Sequence, residues 1–299
     1  MNKKAFVLAA CTVLIWSSGF PGIRASLLGG YTPEHLILFR FLIASGLFLL
    51  YSLLPNVHFQ LPKKKDLVRI VLLGLIGITT YHVGVTFGSE TVNAGTASMI
   101  IGAAPIFTTI ISFFVLKENM NAVKWIGLGI GFLGICLVAY GSGGGSFGLS
   151  RGLVYVVIAV IATSVFFVFQ KPLLARYGAI ELTAYFTWAG TLPMLFFFPG
   201  LIENMQQATW ESHAAAIYVG VFPAALAYAA WAVALSMGDA GALSSMLYLE
   251  PPLTILIAWV WLHEWPHTIS LIGGFIAIAS LVFVHFLEKR RLRHLLKAQ

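Results

Sequence analysis

Asn93 to Glu118 reads NAGTASMIIGAAPIFTTIISFFVLKE, and Asp239 to Glu264 reads DAGALSSMLYLEPPLTILIAWVWLHE. Each stretch opens on a short polar residue followed by Ala-Gly, carries proline at the same place, runs on as an apolar segment and stops at glutamate. Sliding the chain by 146 residues, the separation of the two glutamates, puts Pro105 on Pro251, Leu116 on Leu262 and Glu118 on Glu264. Apolar residues match by chance, but one register that holds proline, glutamate and glycine together marks an internal duplication.

The register extends outward from both stretches. Leu27, Leu28 and Tyr31 fall on Leu173, Leu174 and Tyr177; Ala94, Gly95 and Ser98 fall on Ala240, Gly241 and Ser244; Ile126 and Gly127 fall on Ile272 and Gly273. Apolar runs of about twenty residues, the length that crosses a hydrocarbon core, are predicted at 5–23, 36–54, 67–88, 94–116, 122–140, 152–170, 180–199, 214–236, 240–262 and 268–287. The fold class is therefore all-α integral membrane, with ten transmembrane helices. Each repeat holds five of them, an odd number, so the second repeat enters the bilayer from the opposite side and the two repeats are inverted. The chain divides into a first repeat (1–141), a glycine-rich linker (142–151) marked by GSGGGSFGLS at Gly141 to Ser150, a second repeat (152–288) and a basic tail (289–299).

Composition agrees. The 299 residues are 59% hydrophobic and 10% charged, with mean hydropathy +0.89, against roughly 25% charged in a soluble domain. The net charge of +7 is spread in short clusters between apolar runs, which speaks for membrane orientation and against a nucleic-acid surface. With the N-terminus in the cytoplasm, all Lys and Arg except Arg24, Arg40 and Arg151 lie on or near cytoplasmic segments, so both termini are expected there, in an inner (plasma) membrane. Lys3 and Lys4 precede a run that continues through Trp16 to Pro21 without a small-residue cleavage site, and this segment reads as an uncleaved first span. Cys11 and Cys136 each lie within an apolar run and indicate neither a disulfide framework nor a metal site. No cofactor is implied.

WSSGF at Trp16 to Phe20, the two long stretches quoted above and the glycine-rich span that follows each of them together resemble the EamA-type transporters of the drug/metabolite transporter superfamily, over nearly the whole chain. The resemblance implies a secondary transporter that exports a small organic metabolite, an amino acid or related solute, by alternating access. It does not specify the cargo. The alternative is a multi-span membrane enzyme acting on a lipid-linked substrate; Asp66 and Asp239 are the only aspartates, and no metal motif or phosphate loop supports that chemistry.

Ionisable groups inside spans are costly and mark function. Glu250 and His82 lie deepest. A carboxylate at Glu250 calls for a neutralising proton, ammonium or cation, which makes a proton one candidate coupling ion; the structural alternative is a hydrogen bond to a neighbouring helix. His82 reads as a satisfied core histidine or a cavity group. Arg40 either snorkels to the interface or clamps a substrate carboxylate, and Arg24 reads as a loop charge. Pro21, Pro105, Pro251 and Pro252 are candidate hinges, because each lacks an amide hydrogen and frees a carbonyl four residues back, Ser17 among them. Trp16, Ser17, Tyr81, Ser98, Gln170, Tyr185, Trp188, Trp231, Ser245 and Tyr248 complete the candidate substrate-binding set, by polar or aromatic character at helical spacing. Spans five and ten, nearly bare of such residues, are predicted to be peripheral. The glycines of span five, Gly127, Gly131 and Gly134, form a small-residue face that suits either an intramolecular contact or a homodimer. Glu118 and Glu264 are expected to cap or bond the start of the following helix.

Overall fold

The computed structural model describes residues 3–117, 120–143, 150–237, 243 and 245–297. Expectations that fall on Glu118, the centre of the linker, the start of the ninth run and the side chain of Ser245 lie outside this set. Among the described residues every regular element is helical. The helices are α1 (Lys3–Leu28), α2 (Pro33–Ser52), α3 (Lys64–Gly74), α4 (Tyr81–Gly88), α5 (Ala94–Ile101), α6 (Ala104–Leu116), α7 (Ala122–Ser142) and α8 (Arg151–Leu174). They continue as α9 (Ala179–Met194), α10 (Leu201–Gln207), α11 (Trp210–Val221), α12 (Ala227–Met237), α13 (Glu250–Leu262) and α14 (Thr268–Lys297).

Helix starts follow side-chain chemistry. Asn93, Asn121, Ser150 and Thr209 each accept the backbone N–H three residues on, at Thr96, Lys124, Leu153 and Ser212, so α5, α7, α8 and α11 begin where a short polar residue stands before an apolar run. Among the described residues eight helical segments are long and apolar enough to cross a membrane, and Ala179–Phe197 with Leu201–Gln207, bent by 80°, makes nine if the pair is one span. Met246–Leu262 is a shorter apolar helix; the expected ninth run starts in residues outside the described set. Large apolar side chains such as Leu14, Phe114, Leu133, Phe196 and Phe275 point outward, as a bilayer solvent requires. Two segments differ from expectation. The 202–212 connection contains the helix α10, and the basic tail continues α14 without a break to Lys297.

Irregularities recur at the 146-residue offset. A π-helical turn at Leu75–Thr80 joins α3 to α4, and another at Phe222–Leu226 joins α11 to α12. The chain breaks between α5 and α6 at Gly102 and Ala103, and a 3₁₀ turn at Ser245–Leu249 precedes α13, so Ala103 and Leu249 occupy matching N-cap positions. Ser45 and Thr191, themselves 146 residues apart, share a hydrogen bond of 2.9 Å between α2 and α9.

The glycine face of α7 packs on α14. A methyl group on Gly134 would sit 2.7 Å from the backbone of both Ala277 and Gly273, and one on Gly131 2.8 Å from Ser280 Oγ. This is an intramolecular helix pair of the close-approach kind, and Tyr248 packs against the apolar cluster that it forms with Ala103 and Ile106. Because the atoms in the way at Gly134 are backbone, Gly134→Val is expected to cost at least about 2 kcal/mol, read as a lowered thermal unfolding midpoint in detergent. An unchanged midpoint would show that the pair can separate freely.

Candidate functional site

The polar centre forms where helices are interrupted. Pro21 has no N–H to give to Ser17, and the freed Ser17 carbonyl accepts Thr254 Oγ1 of α13 at 2.9 Å. Gly102, in the α5–α6 break, lies against Pro251 so closely that a methyl there would come within 2.7 Å of the proline ring. The Pro223 carbonyl in the second π turn accepts Trp16 Nε1 at 3.2 Å. The sequence reading missed both π turns, which occur often at functional sites. Pro223, in the middle of an apolar run, was the legible sign of one of them.

Arg40 is 2% exposed, so it does not snorkel. Its Nη1 donates to Thr86 Oγ1 at 3.2 Å and its guanidinium lies 5.8 Å from the centre of the Phe41 ring. Arg40 Nε has no hydrogen-bond partner among the described residues. His82, 7% exposed, meets Phe41 at a tilt and Tyr81 edge to face, with ring centres 4.6 and 4.5 Å away, and its Nε2 likewise has no partner among the described residues, which differs from the satisfied core histidine expected. Tyr81 and Tyr228 each lie close enough to interact electrostatically with both Arg40 and Glu250. Both tyrosines therefore sense a guanidinium and a carboxylate. Trp16 closes this region against Tyr228 and Trp231, at ring-centre distances of 5.2 and 5.5 Å. Glu250 begins α13 directly after the 3₁₀ turn that carries Tyr248, which is half-buried against the α7–α14 cluster.

Other candidates are placed differently. Ser17 and Ser98 spend their hydroxyls on the carbonyls of Val13 and Gly95 in their own helices. Tyr185 and Trp188 lie beside an apolar groove of about 390 Å³ with Leu42 and Leu67, where they donate to the carbonyls of Gln60 and Ser45. Gln170 is half-buried near the end of α8, Pro21 and Pro251 are buried, Pro105 is half-buried, and Pro252 is exposed.

Polar clusters tie the two ends of the bundle. At one end Arg176 Nη1 and Tyr177 Oη donate to Asp66 at 2.6 and 2.9 Å, and Glu181 accepts from Gly178 N and Gln60 N. At the other, Tyr31 Oη pairs with His213 Nδ1 at 2.9 Å; Tyr31 lies between α1 and α2, where burial pushes its phenol up to about 12 and keeps it protonated. Arg24 is no loop charge. It sits inside α1 and bonds Glu264, Ser89 and Glu90.

Multiple apolar helices long enough to cross a bilayer make this a multi-pass membrane protein, and the family it matches is one of transporters. Residues 3–140 and again 150–286 match the EamA-like transporter family, and the chain belongs to that family. It is 39% identical over 271 residues to the "Uncharacterized transporter YdfC" of Bacillus subtilis (strain 168), covering 91% of this chain and 87% of that one. It is also 32% identical over 283 residues to the "Probable terminal-alkyne amino-acid exporter" of Streptantibioticus cattleyicolor, covering 95% and 94%. A solved crystal structure with 19% identity superposes with a TM-score of 0.63, over 96% of this chain and 99% of the other, and shares the fold.

Proposed function

We propose that the chain is an inner-membrane secondary transporter that exports an amino acid or close relative by alternating access, through ten spans built as two inverted repeats with both termini cytoplasmic. The observation that carries this reading is Arg40: a buried cation whose Nε has no partner among the described residues, with Tyr81 and Tyr228 near enough to feel both it and Glu250. A buried charge without a counter-charge is costly, and a zwitterion supplies both missing partners, its carboxylate to Arg40 and its ammonium to Glu250. Trp16, Tyr81, His82, Trp231 and Tyr248 form the walls around the side chain of the cargo. The exporter name of one relative points the same way.

The paired π turns, the paired helix breaks and the Ser45–Thr191 contact support the inverted repeat, because residues equivalent in the two halves meet where an axis relating them would pass. Pro21, Pro105 and Pro251 are the hinges of this reading. Purified protein in liposomes is expected to exchange labelled amino acids by saturable counterflow. An enzyme would instead release a modified product. A single cysteine at Ser142 is expected to react with impermeant thiol reagent from outside intact cells, and one at Lys63 only after permeabilisation. Labelling of both from one side would overturn the topology.

A further inference from the structure

Arg24 makes three bonds at the end of α1. Its Nε donates to Glu264 Oε1 at 2.8 Å, and its Nη1 to the carbonyls of Ser89 at 2.9 Å and Glu90 at 2.6 Å. Glu264 Oε2 in turn lies 3.4 Å from Ala94 N, the first residue of α5. One guanidinium therefore joins the ends of α1, α4 and α13 to the start of α5. The two side chains are only 17% and 18% exposed, so the pair is shielded more than a surface ion pair. Its geometry is set by strain: His263 takes the left-handed conformation, φ 55°, and this turns Glu264 out of α13 towards Arg24.

Part of this feature recurs at the 146-residue offset. Lys117, 146 residues before His263, has the same left-handed backbone, φ 52°, and Glu118 follows it in sequence as Glu264 follows His263. The position equivalent to Arg24 is Gln170, which has no charge. Both repeats keep the left-handed turn and the glutamate in sequence, and they differ at the position of Arg24.

We infer that Arg24 and Glu264 form the latch of the extracellular gate, an ionic tie that holds the outer ends of α1, α4, α5 and α13 together and must break for the carrier to release its cargo outward. The inference rests on the carrier reading and on cytoplasmic termini.

The test uses the full chain with Cys11 and Cys136 replaced and a single cysteine at Ala258, a small buried residue of α13 below Glu264. Impermeant maleimide applied to intact cells measures opening of the outer face and needs no substrate. Labelling is expected to speed up at least about tenfold in Arg24→Gln and in Glu264→Gln, the factor set by losing one charge-assisted hydrogen bond. Unchanged labelling in folded variants overturns the latch. If either variant fails to fold, the double variant Arg24→Cys/Glu264→Cys, joined by a short reducible crosslinker, replaces it. Counterflow of a labelled neutral amino acid mixture is expected to stop on crosslinking and return on reduction; counterflow that continues through the crosslinked state overturns the latch equally. Failure of the carrier reading shows separately, as no exchange by the parent protein, and leaves the labelling result to decide the latch.

Discussion

Arg40→Gln is expected to reduce amino-acid counterflow by about 100-fold while the protein folds as well as the parent or better. The transport loss follows from removing a guanidinium that meets a carboxylate in a buried site, worth roughly 2.7 kcal/mol. Stability moves the other way for a definite reason. Arg40 is 2% exposed and has one hydrogen bond from Nη1 and none from Nε, so its charge is a cost to the empty protein. Glutamine removes that charge, and the bond to Thr86 lost with the shorter side chain is the smaller term. Arg40→Lys retains the charge but loses the planar fork, and recovery is expected to be partial. Counterflow and thermal unfolding midpoints, measured on the same preparations, decide the matter: a variant that melts earlier and transports normally would make Arg40 a structural residue.

Such an opposition of stability and function is a reason to look for binding residues among groups the fold leaves unsatisfied. By contrast Asp66, with Arg176 and Tyr177 on its two oxygens, and Glu181, with two backbone amides, are fully engaged in holding helices together. These carboxylates are structural. Arg40 and His82 are not explained in that way.

The span-length runs, the duplication and the family were legible because hydropathy and a fixed register survive without any knowledge of contacts. So was the freed carbonyl of Ser17, since proline chemistry is local and its consequence predictable; the partner that takes it, Thr254, was not. Charges near span ends were misjudged for one physical reason. Arg24 and Arg40 have similar depths in sequence, and whether such a side chain reaches water, a carboxylate or nothing depends on helix rotation and neighbours that a linear reading does not contain. Glu264 bonds α5 and α1, not the helix that follows it, for the same reason. The π turns were hidden because a one-residue change of register leaves the composition of the run unaltered. Tyr185 and Trp188 show the opposite error: a clear aromatic spacing on α9, spent on an apolar groove and on backbone carbonyls.

The second large effect is expected at Glu250. In Glu250→Gln, export driven by a proton gradient should fall by at least about tenfold, and what remains should no longer respond to external pH. The carboxylate starts α13 behind the 3₁₀ turn, half-buried and near Tyr81 and Tyr228, with no ion pair to it among the described residues. In a low-dielectric site it must be neutralised by a proton or by a cation, and glutamine has its shape but can do neither. Two roles are separable by driving force. If Glu250 carries the coupling proton, counterflow, which moves cargo both ways with no net proton transfer, should persist in the variant while gradient-driven export is lost. If it binds the ammonium end of the cargo, counterflow and driven export should fall together, and cargo lacking an amino group should be spared. A variant with the parent's rate, pH profile and cargo preference, melting at the parent's temperature, would show that Glu250 holds helices and takes no part in transport.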